Sequence, residues 1–126
     1  MNCKTVFKIN VSCISDEEVF SIIDYIGIEP GITDSFLFFG LISRDTEEEH
    51  YTLHDQLNDT LCLLYDKANI LVSLKNQYNI YYSIDVKFSD IEEEIYKKTS
   101  FLIDDKAKDF IEKVDAFYNL NDGYFE

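Results

Sequence analysis

From Ile80 to Phe88 apolar and polar residues alternate without a break, with Ile80, Tyr82, Ile84, Val86 and Phe88 opposed to Tyr81, Ser83, Asp85 and Lys87. A period of two sustained that long describes a strand with one buried and one wet face, and it obliges the rest of the chain to supply neighbouring strands and a covering layer. The opening segment carries the same period: Phe7, Ile9, Val11 and Cys13 face one way, Lys8, Asn10 and Ser12 the other. This pattern puts Cys13 on an apolar face.

Helical spacing separates these strands. Ser15 followed three residues later by Glu18 has the form of a capping box, and Val19, Ile22, Ile23 and Ile26 then recur at threes and fours until Gly27 and Pro30 end the run. Phe36 to Ile42 reads as a buried strand, with His50 to Leu53 as its expected hairpin partner across an acidic turn. Leu57, Leu61, Leu64, Ala68, Leu71, Leu74 and Tyr78 mark one amphipathic helix, or two meeting near Asn69.

Ser89 with Glu92 resembles a second capping box, and Glu93–Lys97 and Glu94–Lys98 are pairs at helical spacing, so a short helix or an acidic connection fits residues 90–98. Phe101 to Ile103 is a candidate strand. Asp104 or Asp105 then caps a helix with Ala107, Phe110, Ile111, Val114 and Phe117 on one face, and the tail through Leu120, Tyr124 and Phe125 suggests a last strand. This order of elements predicts one α+β domain over residues 1–126. Its helices pack on one face of a mainly antiparallel sheet, with a ferredoxin-like βαββαβ core and an added β-α-β.

Charge bounds the function. The chain carries 25 acidic and 11 basic side chains, a net charge of -14, with 46% hydrophobic residues. That much apolar content supports a folded core, and the charge is spread along the chain at -4, -4 and -6 over residues 1–35, 36–79 and 80–126, so there is no detachable acidic tail. Such a field opposes phosphate backbones and excludes nucleic acid as the expected direct ligand. Three cysteines without a C-x-x-C pair point to a reducing, cytoplasmic setting, and no apolar run approaches the roughly 20 residues of a membrane span.

Sites for chemistry can be drawn, but each has a plainer reading. His50 and His54, four apart with Glu48, Glu49 and Asp55 nearby, span an expected strand-to-helix junction and read as polar residues beside a turn, with no metal or other cofactor expected. Asp85-Val86-Lys87 has the D/E-x-K form of a metal nuclease strand, yet any wet strand face shows such a pair. Cys13 and Cys62 lie on or beside apolar faces and read as buried, inert thiols. Four scattered glycines make no phosphate loop.

Acidic clusters remain. Asp16-Glu17-Glu18 falls in the first turn of a helix, where carboxylates complement the dipole, and is read as structural. Asp45 with Glu47-Glu48-Glu49 has only Arg44 beside it, whereas Lys97 and Lys98 partly compensate Asp90 with Glu92-Glu93-Glu94.

Taken together, the opening strand, the helix ending Ile26-Gly27-Ile28-Glu29-Pro30, Tyr51-Thr52-Leu53 leading into the Leu57-Leu61-Leu64 helix, Ile70 to Tyr78, the strand after it and the Ala116 to Tyr124 segment resemble the small bacterial family known as domain of unknown function 4279. The family's tryptophan near position 51 and its Gly-Asp after the first motif have no counterpart here. The resemblance implies an α+β domain with no established catalysis, and it supplies no catalytic residue.

By physical type the chain is also similar to immunity proteins, which neutralise a cognate toxin. The expected function is therefore a non-enzymatic, cytoplasmic immunity protein that masks a basic toxin, such as a nuclease. Glu47, Glu48, Glu49, Glu92, Glu93 and Glu94 would steer the encounter, and Tyr81 and Tyr96 would anchor it. The alternatives are a small enzyme acting on a cationic small molecule, which needs a pocket of convergent polar groups, and a regulatory homodimer joined through a sheet edge.

Overall fold

The computed structural model describes residues 2–45, 53–89 and 105–121. Their elements are β1 (Asn2–Asn10), α1 (Asp16–Ile26), β2 (Gly31–Ile32), β3 (Phe36–Asp45), α2 (Leu53–Leu61), a 3-10 turn (Tyr65–Lys67), α3 (Ala68–Gln77), β4 (Tyr81–Ser89), α4 (Asp105–Val114) and β5 (Phe117–Asn121). The strand order is β2-β3-β1-β4-β5. The first four strands pair antiparallel, with β1 between β3 and β4, in the arrangement of a ferredoxin-like core, and β5 joins β4 in parallel after α4. The α+β class, the mainly antiparallel sheet and the ferredoxin-like core are as the sequence predicts.

Local signals explain most boundaries. Ser15 caps α1 through a complete capping box with Glu18, and Gly27 closes the helix in the left-handed conformation at φ 75°. The alternation of β1 stops earlier than Cys13, because the Asn10 side chain accepts from the Ser12 amide at 3.0 Å and from its hydroxyl at 2.7 Å, turning the chain out of the strand. Leu57 to Tyr78 is divided into α2 and α3 by the 3-10 turn, close to the expected break at Asn69.

Three expectations are corrected. The hairpin neighbour of β3 is Gly31–Ile32 and precedes it, while Leu53 opens α2; residues 50–52 lie outside the described set. Phe117 belongs to β5 instead of the last helix, because α4 ends at Val114 and Asp115 takes a left-handed conformation at φ 55°. Lys75 braces that turn by donating to the Asp115 carbonyl at 2.8 Å. Cys13 and Cys62 are exposed, as both sit where an element has just ended, and only Cys3 of the three thiols is buried. The expected strand at Phe101–Ile103 and the helix or connection at 90–98 lie outside the described residues.

One core unites the sheet and the helices. Cys3, Phe7 and Ile9 of β1, Leu37 and Phe39 of β3 and Tyr82, Ile84 and Val86 of β4 meet Ile22, Ile26, Leu57, Leu61, Leu71, Leu74, Ala107, Phe110 and Val114 from α1–α4 in a single buried cluster. The Tyr82 hydroxyl donates to the Leu71 carbonyl at 2.5 Å, so the ring is buried without stranding its polar end.

Helix α2 approaches the sheet unusually closely. Thr5 faces Ile42 while Phe7 faces Phe39, so β3 holds one extra residue opposite Val6, a bulge marked by Gly40 at φ 62°. Buried Gln56 of α2 donates to the carbonyls of Cys3 at 2.8 Å and Ile42 at 3.2 Å, tying the helix to both strands. Its Oε1 and the Thr60 hydroxyl are buried without hydrogen-bond partners. Thr60→Val is isosteric and removes one such atom, so chemical denaturation should find the variant as stable as the wild type or more stable by about 1 kcal/mol.

Candidate interaction surface

Helix α1 has two different sides. Val19, Ile22, Ile23 and Ile26 turn to the core. On the opposite side Glu17, Phe20, Ser21, Asp24 and Tyr25 recur at threes and fours, which places them on one solvent face. Phe20 is 63% and Tyr25 58% exposed. Both rings stand on the solvent side of one capped helix, five positions apart.

Their surroundings are anionic. Asp16, Glu17, Glu18 and Asp24 lie within the helix, which carries no Lys or Arg, and Glu29 follows just beyond its end. Carboxylates in the first turn favour the helix itself through its dipole, but Asp24 lies near the far end, where that explanation runs out. The result is a rigid, capped helix presenting aromatic groups within a negative field.

The residues expected to form the site fare unevenly. Tyr81 is described, stands at the start of β4 on the face turned away from the core and is 47% exposed, as an anchor requires. Glu47, Glu48, Glu49, Glu92, Glu93, Glu94 and Tyr96 lie outside the described residues. Phe20, Tyr25, Glu17 and Asp24 were not among the expected contacts, although their spacing, complementary to the buried Val19-Ile22-Ile23-Ile26 stripe, already carried the signal.

Chemical sites are less well provided. Asp85 accepts from Lys8 at 2.8 Å on one oxygen and from Asn119 at 2.9 Å on the other, so the D/E-x-K carboxylate is engaged within the sheet. His54 falls within α2 and His50 lies outside the described residues; among the described residues no group of His, Cys, Asp or Glu is arranged to hold a metal. A shallow trough of about 400 Å³ is lined by Asn58, Asp59, Cys62, Tyr65, Asp66 and Lys106. Several of these groups are occupied with their neighbours, as Tyr65 donates to Asn58 at 2.6 Å, Cys62 to the Asp59 carbonyl at 3.1 Å, and Lys106 sits 4.5 Å from the Tyr65 ring centre.

Comparison with family models, curated proteins and solved structures finds no match for this chain. Its surface chemistry therefore has to be read from its own residues.

Cys3 is the thiol removed from reaction. Burial pushes its pKa up from 9.0 to about 11, with a weaker opposing contribution from the Thr5 hydroxyl. Because the folded value lies above the unfolded one, the associated stability is present below pH 9.0 and is lost as the pH rises toward about 11. Denaturant titrations across this window should show Cys3→Ala losing less stability than the wild type, by roughly 2 to 3 kcal/mol at the alkaline end.

Proposed function

We propose that this chain is a binding protein for a basic protein partner, and that it acts as an immunity protein neutralising a cognate basic toxin. The observation that carries the proposal is the exposed Phe20–Tyr25 pair on a helix bearing four carboxylates and no base. Aromatic anchors supply contact area at a small entropic cost, while surrounding charge accelerates encounter and orients it.

The net charge of -14 favours the same partner class at longer range. No helix among the described residues is long and apolar enough to cross a membrane, in keeping with a cytoplasmic site of action for such an inhibitor. Kinship with the domain of unknown function 4279 belongs to the proposal too, supported by the Ile26-Gly27-Ile28-Glu29-Pro30 helix end and the α+β fold.

Co-expression with the product of each neighbouring open reading frame tests the reading. A stoichiometric complex in which the partner's toxicity is suppressed is expected. A partner that remains fully toxic, and elutes separately, contradicts it.

A further inference from the structure

The face of the sheet turned away from the core gathers cations in this otherwise acidic protein. Lys4 of β1 stands directly opposite Lys87 of β4, and Lys8 lies on the same face two pleat repeats further along β1, beyond Val6. Lys8 is satisfied, since it pairs with Asp85 at 2.8 Å and lies 5.1 Å from the centre of the Phe36 ring. Among the described side chains, no carboxylate forms an ion pair with Lys4 or Lys87.

Like charges directly opposite on neighbouring strands destabilise a sheet, so the Lys4–Lys87 pair is a local cost. Beside the pair is a cavity of about 100 Å³, lined by Lys4, Val6, Lys8, Phe38, Leu41 and Lys87. Val6 is buried although it points away from the main core, and the bulge at Gly40 brings Leu41 opposite it. The cavity lining thus combines the apolar Val6, Phe38 and Leu41 with Lys4 and Lys87 beside the engaged Lys8.

We infer that this cavity binds a small amphipathic carboxylate, its apolar group resting on Val6, Phe38 and Leu41 and its anionic head held between Lys4 and Lys87. Size and charge both select this class. An engineered apolar cavity of about 150 Å³ holds a benzene ring, so 100 Å³ that opens to solvent accommodates a short aliphatic group with its polar end outside. An extended polyanion would meet the repulsion of the whole chain, whereas a compact anion feels mainly the lysines within a screening length of about 8 Å.

The site is separate from the acidic face of α1 and independent of the function proposed for it. Amide chemical-shift titration of the intact chain with hexanoate provides the test, with 1-hexanol and inorganic phosphate as comparison probes. Hexanoate is expected to produce saturable shifts at Lys4, Val6, Phe38, Leu41 and Lys87, and the two comparison probes to bind at least roughly tenfold more weakly, because each lacks half of the recognition.

Lys4→Gln and Lys87→Gln should each weaken hexanoate by roughly tenfold, whereas Lys4→Arg and Lys87→Arg should retain it. In the absence of hexanoate the glutamine variants should be at least as resistant to urea as the wild type, because the like-charge pair is relieved, which separates lost binding from lost folding. Absent or non-saturable shifts, equal binding of 1-hexanol or phosphate, or unchanged affinity in the glutamine variants would each overturn the assignment.

Discussion

Among the described glycines, Gly40→Ala should be the most damaging single substitution. A Cβ at position 40 falls 2.0 Å from the Thr60 carbonyl oxygen and 2.8 Å from its carbon, and both belong to the backbone of α2. The φ of 62° adds strain that an L side chain adopts poorly. Relief therefore requires either moving α2 off the sheet, which breaks the Gln56 bonds to Cys3 and Ile42, or rebuilding the bulge opposite Val6.

Overpacking and backbone strain together place the cost above about 4 kcal/mol, a large part of the stability of a domain this size. Two other glycines make internal controls in the same urea titration. Gly27→Ala meets only the Lys67 ammonium at 4.0 Å and should lose about 1 kcal/mol to its left-handed conformation. Gly31→Ala meets the Phe38 ring at 3.1 Å, a side chain that can yield, and should also lose less than Gly40→Ala. Equal losses at all three positions would show that the closeness of α2 is not what makes Gly40 necessary.

Phe20→Ala and Tyr25→Ala should leave the fold intact and weaken binding. Both side chains project from the outer side of α1, away from Ile22 and Ile26, so urea midpoints should move by no more than about 0.5 kcal/mol. If they are the anchors of the interface, each truncation should weaken the complex with the basic partner by at least about 2 kcal/mol, roughly thirtyfold in Kd, mainly through faster dissociation. Glu17→Gln and Asp24→Asn should act differently, slowing association while changing dissociation little. Calorimetric affinities unaffected by Phe20→Ala and Tyr25→Ala would remove α1 from the interface.

Periodicity made much of the fold legible. The unbroken alternation around Tyr82, Ile84 and Val86 identifies β4, and Ser15, Glu18 and Gly27 delimit α1 from both ends, because these signals depend only on neighbours in sequence. What could not be read depends on contacts distant in sequence. The two-residue strand Gly31–Ile32 exists because Phe38 and Leu37 pair with it, and nothing within so short a segment announces a strand. Phe117 continues the helical spacing of Phe110 and Val114, yet the chain leaves the helix at Asp115 and the ring is 63% exposed on β5.

The candidate surface was legible in a different way. Reading Val19, Ile22, Ile23 and Ile26 as the buried stripe of α1 already leaves Phe20 and Tyr25 outside it, but the carboxylates at 16–18 have a sufficient explanation in the helix dipole and drew attention away from that face. The Lys4–Lys87 pair was hidden for another reason. These residues are more than eighty positions apart, and only the register of β1 on β4 brings them opposite each other.

The central claim is that surface anions and the α1 aromatics recognise a cationic protein. Stopped-flow association of the purified chain with the basic protein that co-purifies with it, measured as a function of ionic strength, tests this most directly. The account predicts a rate constant that falls steeply with added salt, and more shallowly for Glu17→Gln/Asp24→Asn, while Phe20→Ala/Tyr25→Ala retains the salt slope but dissociates much faster. A rate constant indifferent to salt, with dissociation unchanged in the aromatic double variant, contradicts it.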